Sequence, residues 1–319
     1  MTRIGVICNP FSRRNRPGGL AIADSLARNP NVLRTRIGDV VEIPEVVAEF
    51  ARREVGVIVI DGGDGTLQAA LTAALLGSGF AAPPRFALIA SGNTNLTARD
   101  VGIGGSRRSA IDRLVACLAA GRIERATVTR PAIRMERGGD QPPVLGMFFG
   151  FAAMYHMTEV TRRRIEAKGI LHGGAAGMGI ALALARILLA GEEDALAAGE
   201  PLGLAVDDAP LRNGHRLLML STTLERLVFG LRPFWGEGEG GLRYLDIAAP
   251  PRRFAPALLP VLRGRPRPWM AGAGYASGRA KRLRLALASP YLLDGQIFAP
   301  EPGRDLVLTA GPDVAFVRP

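Results

Sequence analysis

One stretch near residue 60 decides the fold, Ile58-Val59-Ile60-Asp61-Gly62-Gly63-Asp64-Gly65-Thr66. Its apolar run predicts a buried strand, and the turn after it opens a helix over Thr66–Leu76. In open α/β sheets, ligands bind at the carboxyl ends of parallel strands. The glycines let backbone N–H groups approach phosphate oxygens, and the helix start adds a favourable dipole.

Asp64 needs its own explanation in such a turn. A carboxylate that faces phosphates is repelled by them unless a metal ion or a transferable proton lies between. The stretch therefore indicates chemistry as well as binding. The alternative is a plain glycine turn that Asp64 and Thr66 cap.

The chain on either side of this stretch alternates short apolar runs with helical patterns, which is typical of βα units around a mostly parallel sheet. Pro44 suits a first helical position, and Gly121 suits a helix stop. The predicted strands are Arg3–Cys8, Val32–Ile37, Val55–Ile60 and Phe86–Ala90, and the predicted helices are Gly19–Arg28, Pro44–Arg53, Thr66–Leu76 and Ser106–Ala120.

The pattern changes after Arg122, where strands are predicted without regular helices between them. One helical insertion, near residues 152–198, interrupts this β-rich region. The length of 319 residues fits about two domains, and we predict an α/β domain over 1–125 and a β-rich domain over 126–319, leaving open whether the last strands return to the first. The predicted strands are Ile123–Met135, Val144–Gly150, Leu202–Asp207, His215–Ser221, Leu242–Ala248, Leu283–Ala288 and Leu306–Thr309.

Polar loops follow two further strands of the predicted parallel sheet. Residues 91–99, Ser-Gly-Asn-Thr-Asn-Leu-Thr-Ala-Arg, follow one strand, and residues 9–16, Asn-Pro-Phe-Ser-Arg-Arg-Asn-Arg, follow the first. Each loop alone is compatible with a capping turn, but three at one sheet edge predict a phosphate site. The chain has no Gly-x-x-x-x-Gly-Lys-Ser/Thr, no Gly-x-Gly-x-x-Gly after its first strand and no protein-kinase motifs.

These motifs resemble those of the diacylglycerol kinase catalytic-domain superfamily, which includes bacterial lipid kinases, sphingosine kinases and ceramide kinases. Gly62–Thr66 resembles its hallmark, Asn9-Pro10-x-Ser12 its first nucleotide motif, and Gly92–Arg99 its Gly-Thr-x-Asn-x-x-Ala-Arg segment. Asp294-Gly295-Gln296 resembles the family's Asp-Gly-Glu. The resemblance implies an α/β nucleotide-binding domain similar to NAD kinases and phosphofructokinases, then a β-sandwich-like domain, with the active site in the cleft between them.

The resemblance also implies roles for individual residues. Asp64 would sit near Mg²⁺ and the triphosphate, directly or through water, and Asp294 would take the proton from the substrate hydroxyl. Which of the two carboxylates is the base stays open, and for Asp294-Gly295 an ordinary hairpin turn is the alternative. The implied ATP-binding residues are Asn9, Ser12, Arg13, Gly62, Gly63, Gly65, Thr66, Gly92, Asn93, Thr94 and Asn95. The sequence departs from the family pattern at Arg13, usually glycine, Asn93, usually threonine, and Gln296, usually glutamate.

The composition bears on partners and location. Forty basic and twenty-nine acidic residues give a net charge of +11, which attracts phosphate-rich ligands, nucleic acid or anionic membranes. Two cysteines predict no disulfide framework and fit the cytoplasm. We predict no signal peptide at the N-terminus, and no span at Gly173–Gly191, which Arg186 interrupts.

Two arginine-rich segments, Arg162–Arg164 and Arg263–Met270 with Trp269, suit anionic lipid head groups or are a solvated face. Nucleic acid is disfavoured, since no binding module is recognisable and aromatic residues make up 6%. The apolar segment Met178–Leu189 is compatible with an acyl-chain channel or with core packing.

From these features we predict a kinase that uses ATP and Mg²⁺ to phosphorylate the primary hydroxyl of a neutral membrane lipid, either diacylglycerol or a ceramide-type lipid. It would act at the cytoplasmic face of the inner membrane as a peripheral protein. The alternatives are a non-catalytic lipid- or nucleotide-binding homologue and a kinase for a soluble acceptor such as NAD. The sequence does not indicate an oligomeric state.

Overall fold

The computed structural model describes residues 2–10, 12, 31–77, 79–92, 94–159 and 195–319. The chain forms two compact units: Met1–Ala132 with Arg226–Val228 and Pro312–Pro319, and Ile133–Glu225 with Phe229–Gly311. The domain limits 1–125 and 126–319 stay a prediction. Several predicted features lie outside the described residues, namely Gly19–Arg28, Arg162–Arg164, Gly173–Gly191, Met178–Leu189 and most of the helical insertion.

A parallel sheet forms the centre of the first unit. Its strands β1 (Arg3–Cys8), β2 (Val32–Arg36), β3 (Val55–Gly62) and β4 (Arg85–Ala90) have the order β4-β3-β1-β2. Phe316, near the end of the chain, pairs in parallel with Phe86 of β4. Residues 57–60 are all buried, as expected for a parallel strand covered on both faces. All four strands lie within two residues of their predicted limits, which confirms the α/β prediction.

Helices connect these strands, and local sequence signals set their ends. α1 (Ile43–Arg52) has Pro44 in its first turn and buries Ile43, Val47 and Phe50 on one face. α2 (Asp64–Thr72) follows β3 and continues into a π-helical turn, Ala73–Gly77. α3 (Leu96–Val101) follows β4, and α4 (Arg107–Ala119) begins after Ser106, whose hydroxyl accepts the Ser109 N–H at 3.2 Å.

The second unit consists mainly of antiparallel strands, which confirms the predicted β-rich region. Its largest buried side chains include Phe149, Phe151 and Tyr291. The strands are β5 (Thr127–Glu136), β6 (Val144–Gly146), β7 (Phe148–Ala152), β8 (Glu200–Val206), β9 (Arg212–Thr222), β10 (Leu242–Ala248), β11 (Tyr275–Ala280), β12 (Arg282–Leu287), β13 (Tyr291–Leu293), β14 (Gln296–Phe298) and β15 (Leu306–Val317). Their sheet has the order β14-β13-β7-β9-β8-β12-β15, with β10 paired to β9 and β11, and β5 to β6.

Three expectations for this region are wrong. Residues 153–159 and α5 (Ala195–Ala198) are helical within the predicted insertion, but α6 (Phe254–Leu262) and α7 (Pro268–Gly272) lie between strands where no helix was predicted. β5 begins at Thr127 and not at residue 123, because residues 123–126 form turns after α4. The single strand predicted over 144–150 is two strands, β6 and β7. At the break between them, the Met147 and Phe148 N–H groups donate to the Asp294 carboxylate.

Among the described residues, no helix is long and apolar enough to cross a membrane. Cys8 and Cys117 are both buried thiols.

Candidate active site

Three loops that follow parallel strands of the first unit are joined by hydrogen bonds. The Asn9 amide, after β1, donates to the Thr66 hydroxyl at 3.0 Å, and the Asn9 backbone N–H donates to the Asp61 carbonyl at 3.1 Å. The Ser91 N–H, after β4, donates to the Gly62 carbonyl at 3.2 Å. The structure therefore brings together the three segments that the sequence places at one sheet edge.

Glycine is required where two of these loops meet. A side-chain carbon at Gly92 would lie 2.6 Å from the Cα atom of Gly63, and one at Gly62 would lie 2.9 Å from the Thr66 side chain. Contacts this short exclude a side chain without movement of the backbone. Asn95 closes the second loop, since its amide exchanges two 2.7 Å hydrogen bonds with the backbone of Gly92.

Asp64 is the first residue of α2 and lies between these loops. Its two carboxylate oxygens accept the Leu96 N–H at 2.9 Å and the Thr97 N–H at 3.0 Å, so the side chain bonds the first turn of α3. Burial raises the pKa of Asp64, although these two hydrogen bonds act in the opposite direction. The residue as a whole stays partly exposed. The carboxylate thus has a structural role besides any role in chemistry.

A second carboxylate, Asp61, is fully buried at the end of β3 and was not predicted as a site residue. It accepts from the Arg107 guanidinium at 2.5 Å, from the Ser91 hydroxyl at 2.5 Å and from the Cys8 thiol at 3.6 Å. Burial, with Asp61 next in importance, raises the pKa of Cys8 to about 11. The one sequence signal for this cluster was an acidic residue ending an otherwise apolar strand, because such a charge requires a partner.

Asp294 belongs to the second unit and occupies the turn between β13 and β14. Asp294 and Gly295 have φ values of 50° and 81°, and Leu293 pairs with Gln296 across them, so the hairpin-turn alternative describes the backbone. The side chain is 5% exposed, and its oxygens accept the Met147 N–H at 2.8 Å and the Phe148 N–H at 3.0 Å. Gln296 is half-buried in β14.

The remaining predicted residues are placed as follows. Ser12 is buried, and its N–H donates to the Asn9 carbonyl at 3.1 Å. Thr94 is half-buried, and its carbonyl accepts from Arg99 at 3.2 Å. Arg13 and Asn93 lie outside the described residues.

Comparison with known protein families finds a match over the first unit. The family model of the diacylglycerol kinase catalytic domain matches residues 3–130, which include all three of the hydrogen-bonded loops described above. Residues 3–130 belong to the diacylglycerol kinase catalytic domain family. Kinases of this family use ATP. No curated protein sequence matches the chain.

Solved structures extend the likeness over both units. A diacylglycerol kinase from Bacillus anthracis str. Sterne is similar over 99% of this chain and 97% of its own, with 14% identity and a TM-score of 0.62. Two structures from the same organism, provisionally assigned the same activity, have TM-scores of 0.67 and 0.63 at 15% and 14% identity, with the same coverage. At these identities the likeness shows the fold.

Proposed function

We propose that this protein is a lipid kinase that transfers the γ-phosphoryl group of ATP to the primary hydroxyl of a neutral membrane lipid. Diacylglycerol and ceramide-type lipids are the proposed acceptors. The observation that carries the proposal is the hydrogen-bonded meeting of three polar loops around Asp64. Because the loops belong to a diacylglycerol kinase catalytic domain, ATP is the natural phosphoryl donor.

The backbone of Gly62–Gly65 and the start of α2 would contact the phosphates. Glycine leaves the backbone open to phosphate oxygens, and the nine-residue α2 directs its positive end toward them. The Asn9 and Asn95 side chains would fix the loops around the nucleotide, since both already bond neighbouring loop atoms. The other proposed ATP-binding residues are Ser12, Arg13, Thr66, Gly92, Asn93 and Thr94.

The residues present fit a magnesium ion that arrives with the nucleotide. The ionised Asp64 carboxylate has about four lone-pair sites, two of which accept backbone N–H groups, and the residue is partly exposed. Mg²⁺ in such sites commonly keeps water ligands and uses one or two carboxylates besides phosphates. Asp64 would hold it, directly or through water, and the ion would neutralise phosphate charge.

In the transfer, the lipid hydroxyl oxygen forms a bond to the γ-phosphorus while the bond to the ADP oxygen breaks. The hydroxyl proton passes to a carboxylate, which must be ionised beforehand. Asp64 and Asp294 are both proposed for this step, and the choice between them stays open. Each carboxylate is already oriented by two backbone N–H groups.

The bonding of these two aspartates also favours a second candidate function. Both carboxylates stabilise local backbone structure, which would preserve them in a non-catalytic lipid- or nucleotide-binding homologue. The glutamine at position 296, where the resembling family usually has glutamate, favours the same alternative. A kinase for a soluble acceptor such as NAD is the remaining alternative.

The proposed partners are a neutral lipid and an anionic membrane surface, with the protein peripheral on the cytoplasmic face of the inner membrane and no nucleic-acid partner. The test is incubation of the full chain with labelled ATP and Mg²⁺ against diacylglycerol, ceramide, a sphingoid base, monoacylglycerol and NAD. We expect label in diacylglycerol or ceramide. Label in NAD alone, or nucleotide binding without transfer to any acceptor, would overturn the proposal.

A further inference from the structure

An apolar helix of the second unit is only partly covered. α6 (Phe254–Leu262) has no polar side chain among its nine residues, yet only Ala257 and Val261 are buried. Leu259 is 54% exposed, and among the described residues only Val41 joins it as an exposed large apolar side chain. An uncovered apolar surface of this kind marks a contact with another molecule or with a membrane.

The turn after α6 is built by its own backbone. The Arg265 N–H donates to the Pro260 carbonyl at 2.9 Å, and the Gly264 N–H donates to the Val261 carbonyl at 3.0 Å. With Gly264 at φ +60°, this pair of bonds is a Schellman motif. Since backbone groups satisfy these helix carbonyls, the arginine side chains of the turn are not needed to cap the helix.

These arginines line an open pocket of about 290 Å³, close to the lower end of the roughly 300–1,000 Å³ typical of ligand sites. Among the described residues, no hydrogen bond or ion pair engages the guanidinium groups of Arg263, Arg265 and Arg267, and all three side chains are exposed. Residues 247–293 contain nine basic and no acidic residues. The pocket is lined by Leu259, Pro260, Arg263, Arg265, Pro266 and Arg267.

We propose that this pocket binds the phosphate of an anionic phospholipid headgroup while α6 and Leu259 enter the apolar layer of the same bilayer. Guanidinium groups pair well with phosphate oxygens, and basic groups beside exposed apolar residues are typical of surfaces that rest on membranes. A nucleic acid would match the charge but leave α6 uncovered. A second copy of this chain would cover α6 but bring two arginine clusters together.

The proposal adds to the lipid kinase function a means of reaching a substrate held in a bilayer. Binding to vesicles is measured without ATP or acceptor, so failure of the kinase assay would leave this proposal standing, and failure here would leave the kinase proposal standing.

The experiment is co-sedimentation of the full chain with vesicles of phosphatidylcholine, with and without phosphatidylglycerol. We expect binding only with phosphatidylglycerol, and loss of it at high salt. The variant Arg263→Gln, Arg265→Gln, Arg267→Gln should bind about 100-fold more weakly, since each basic side chain contributes about 1 kcal/mol near an anionic surface and 1.4 kcal/mol is tenfold. Leu259→Asn should weaken binding about tenfold through lost apolar burial.

The matched control removes three arginines elsewhere, Arg108→Gln, Arg122→Gln and Arg125→Gln, which are exposed in the first unit. Equal loss in both triple variants would reduce the effect to net charge and overturn the site. Unchanged vesicle binding by the Arg263, Arg265 and Arg267 triple variant, once circular dichroism shows it to be folded, would overturn the site as well. Displacement of the protein from vesicles by an equal concentration of glycerol phosphate would show that the pocket binds a free phosphate ligand. Tighter binding to duplex DNA than to vesicles would show that its ligand is a nucleic acid. Either result contradicts the proposal.

Discussion

Asp64 in the first unit and Asp294 in the second are bonded in the same way but lie in different surroundings. Each carboxylate accepts N–H groups from two consecutive residues, Leu96 and Thr97 in one case, Met147 and Phe148 in the other. Asp64 opens a helix and is partly exposed, whereas Asp294 is 5% exposed in a left-handed turn. Backbone bonding orients both groups, and the two residues differ in exposure: Asp64 as a whole is partly exposed, even though burial raises the pKa of its carboxyl group.

The largest expected effect is on stability and concerns a third carboxylate, Asp61, to which we assign a structural role only. Arg107→Met removes the guanidinium that is ion-paired with this buried carboxylate, which keeps its hydrogen bonds from Ser91 and Cys8. We expect the free energy of unfolding to fall by about 3–5 kcal/mol, measured by urea denaturation. The neighbouring exposed Arg108→Met should stay within about 0.5 kcal/mol of the parent. Equal midpoints for the two variants would show that the Arg107–Asp61 pair does not stabilise the site.

Asp294→Asn tests the enclosed member of the comparison. The amide has one acceptor oxygen, so its NH₂ group would oppose one of the two N–H donors. We expect a loss of about 1–3 kcal/mol in unfolding free energy, and phosphoryl transfer reduced far more than by Gln296→Ala when both are assayed well below their melting temperatures. Equal, mild effects of the two changes on transfer would leave Asp294 as a turn residue only.

Gly92→Ala tests whether the loop beside Asp64 needs its close backbone contact. The new methyl group would lie 2.6 Å from the Cα atom of Gly63, and overpacking of this kind costs about 1–3 kcal/mol. We expect weaker ATP binding and a lower melting temperature. Gly104→Ala is the matched control, because no atom lies within 4 Å of its added carbon. Identical ATP affinities in the two variants would argue against a packed nucleotide loop.

The smallest effect concerns Cys8, whose thiol lies beside Asp61. Its pKa is raised to about 11 from 9.0. At a pH between these two values the thiol is therefore protonated in the folded protein but ionised in the unfolded chain. The contribution of this thiol to the free energy of unfolding is fully present below pH 9 and is lost as the pH rises through about 11. In a Cys117→Ala background, we expect iodoacetamide to label Cys8 at pH 9 only after unfolding. Rapid labelling of the folded protein would show that the strand end beside Asp61 is open.

The sequence predicted the first unit well because its signals are local. Buried parallel strands are continuous apolar runs, as in residues 55–60, and Pro44, Ser106 and Gly121 mark helix ends by backbone chemistry that neighbours do not alter. The three loops could be brought to one edge because topology alone fixes where parallel strands end.

The missed features depend on distant residues or give no periodic signal. α6 is apolar at every position and contains two prolines, so its sequence shows no helical period. β11, with Ala276, Ser277 and Gly278, has few strand-forming residues and is held by pairing with β10. The Asp61–Arg107 pair joins residues 46 positions apart, and nothing local to either predicts it. The backbone bonds of Asp64 and Asp294 likewise depend on tertiary placement.

The most direct test of the central claim compares ATP binding and phosphoryl transfer in Asp64→Asn and in Asp112→Asn, an exposed aspartate of α4. Asp112→Asn should match the parent in both. Asp64→Asn should remain folded and bind ATP within a few-fold of the parent, but transfer phosphate to lipid at least about 100-fold more slowly, as expected for loss of an electrostatic or acid–base group. Near-normal transfer to any acceptor by Asp64→Asn would contradict the account.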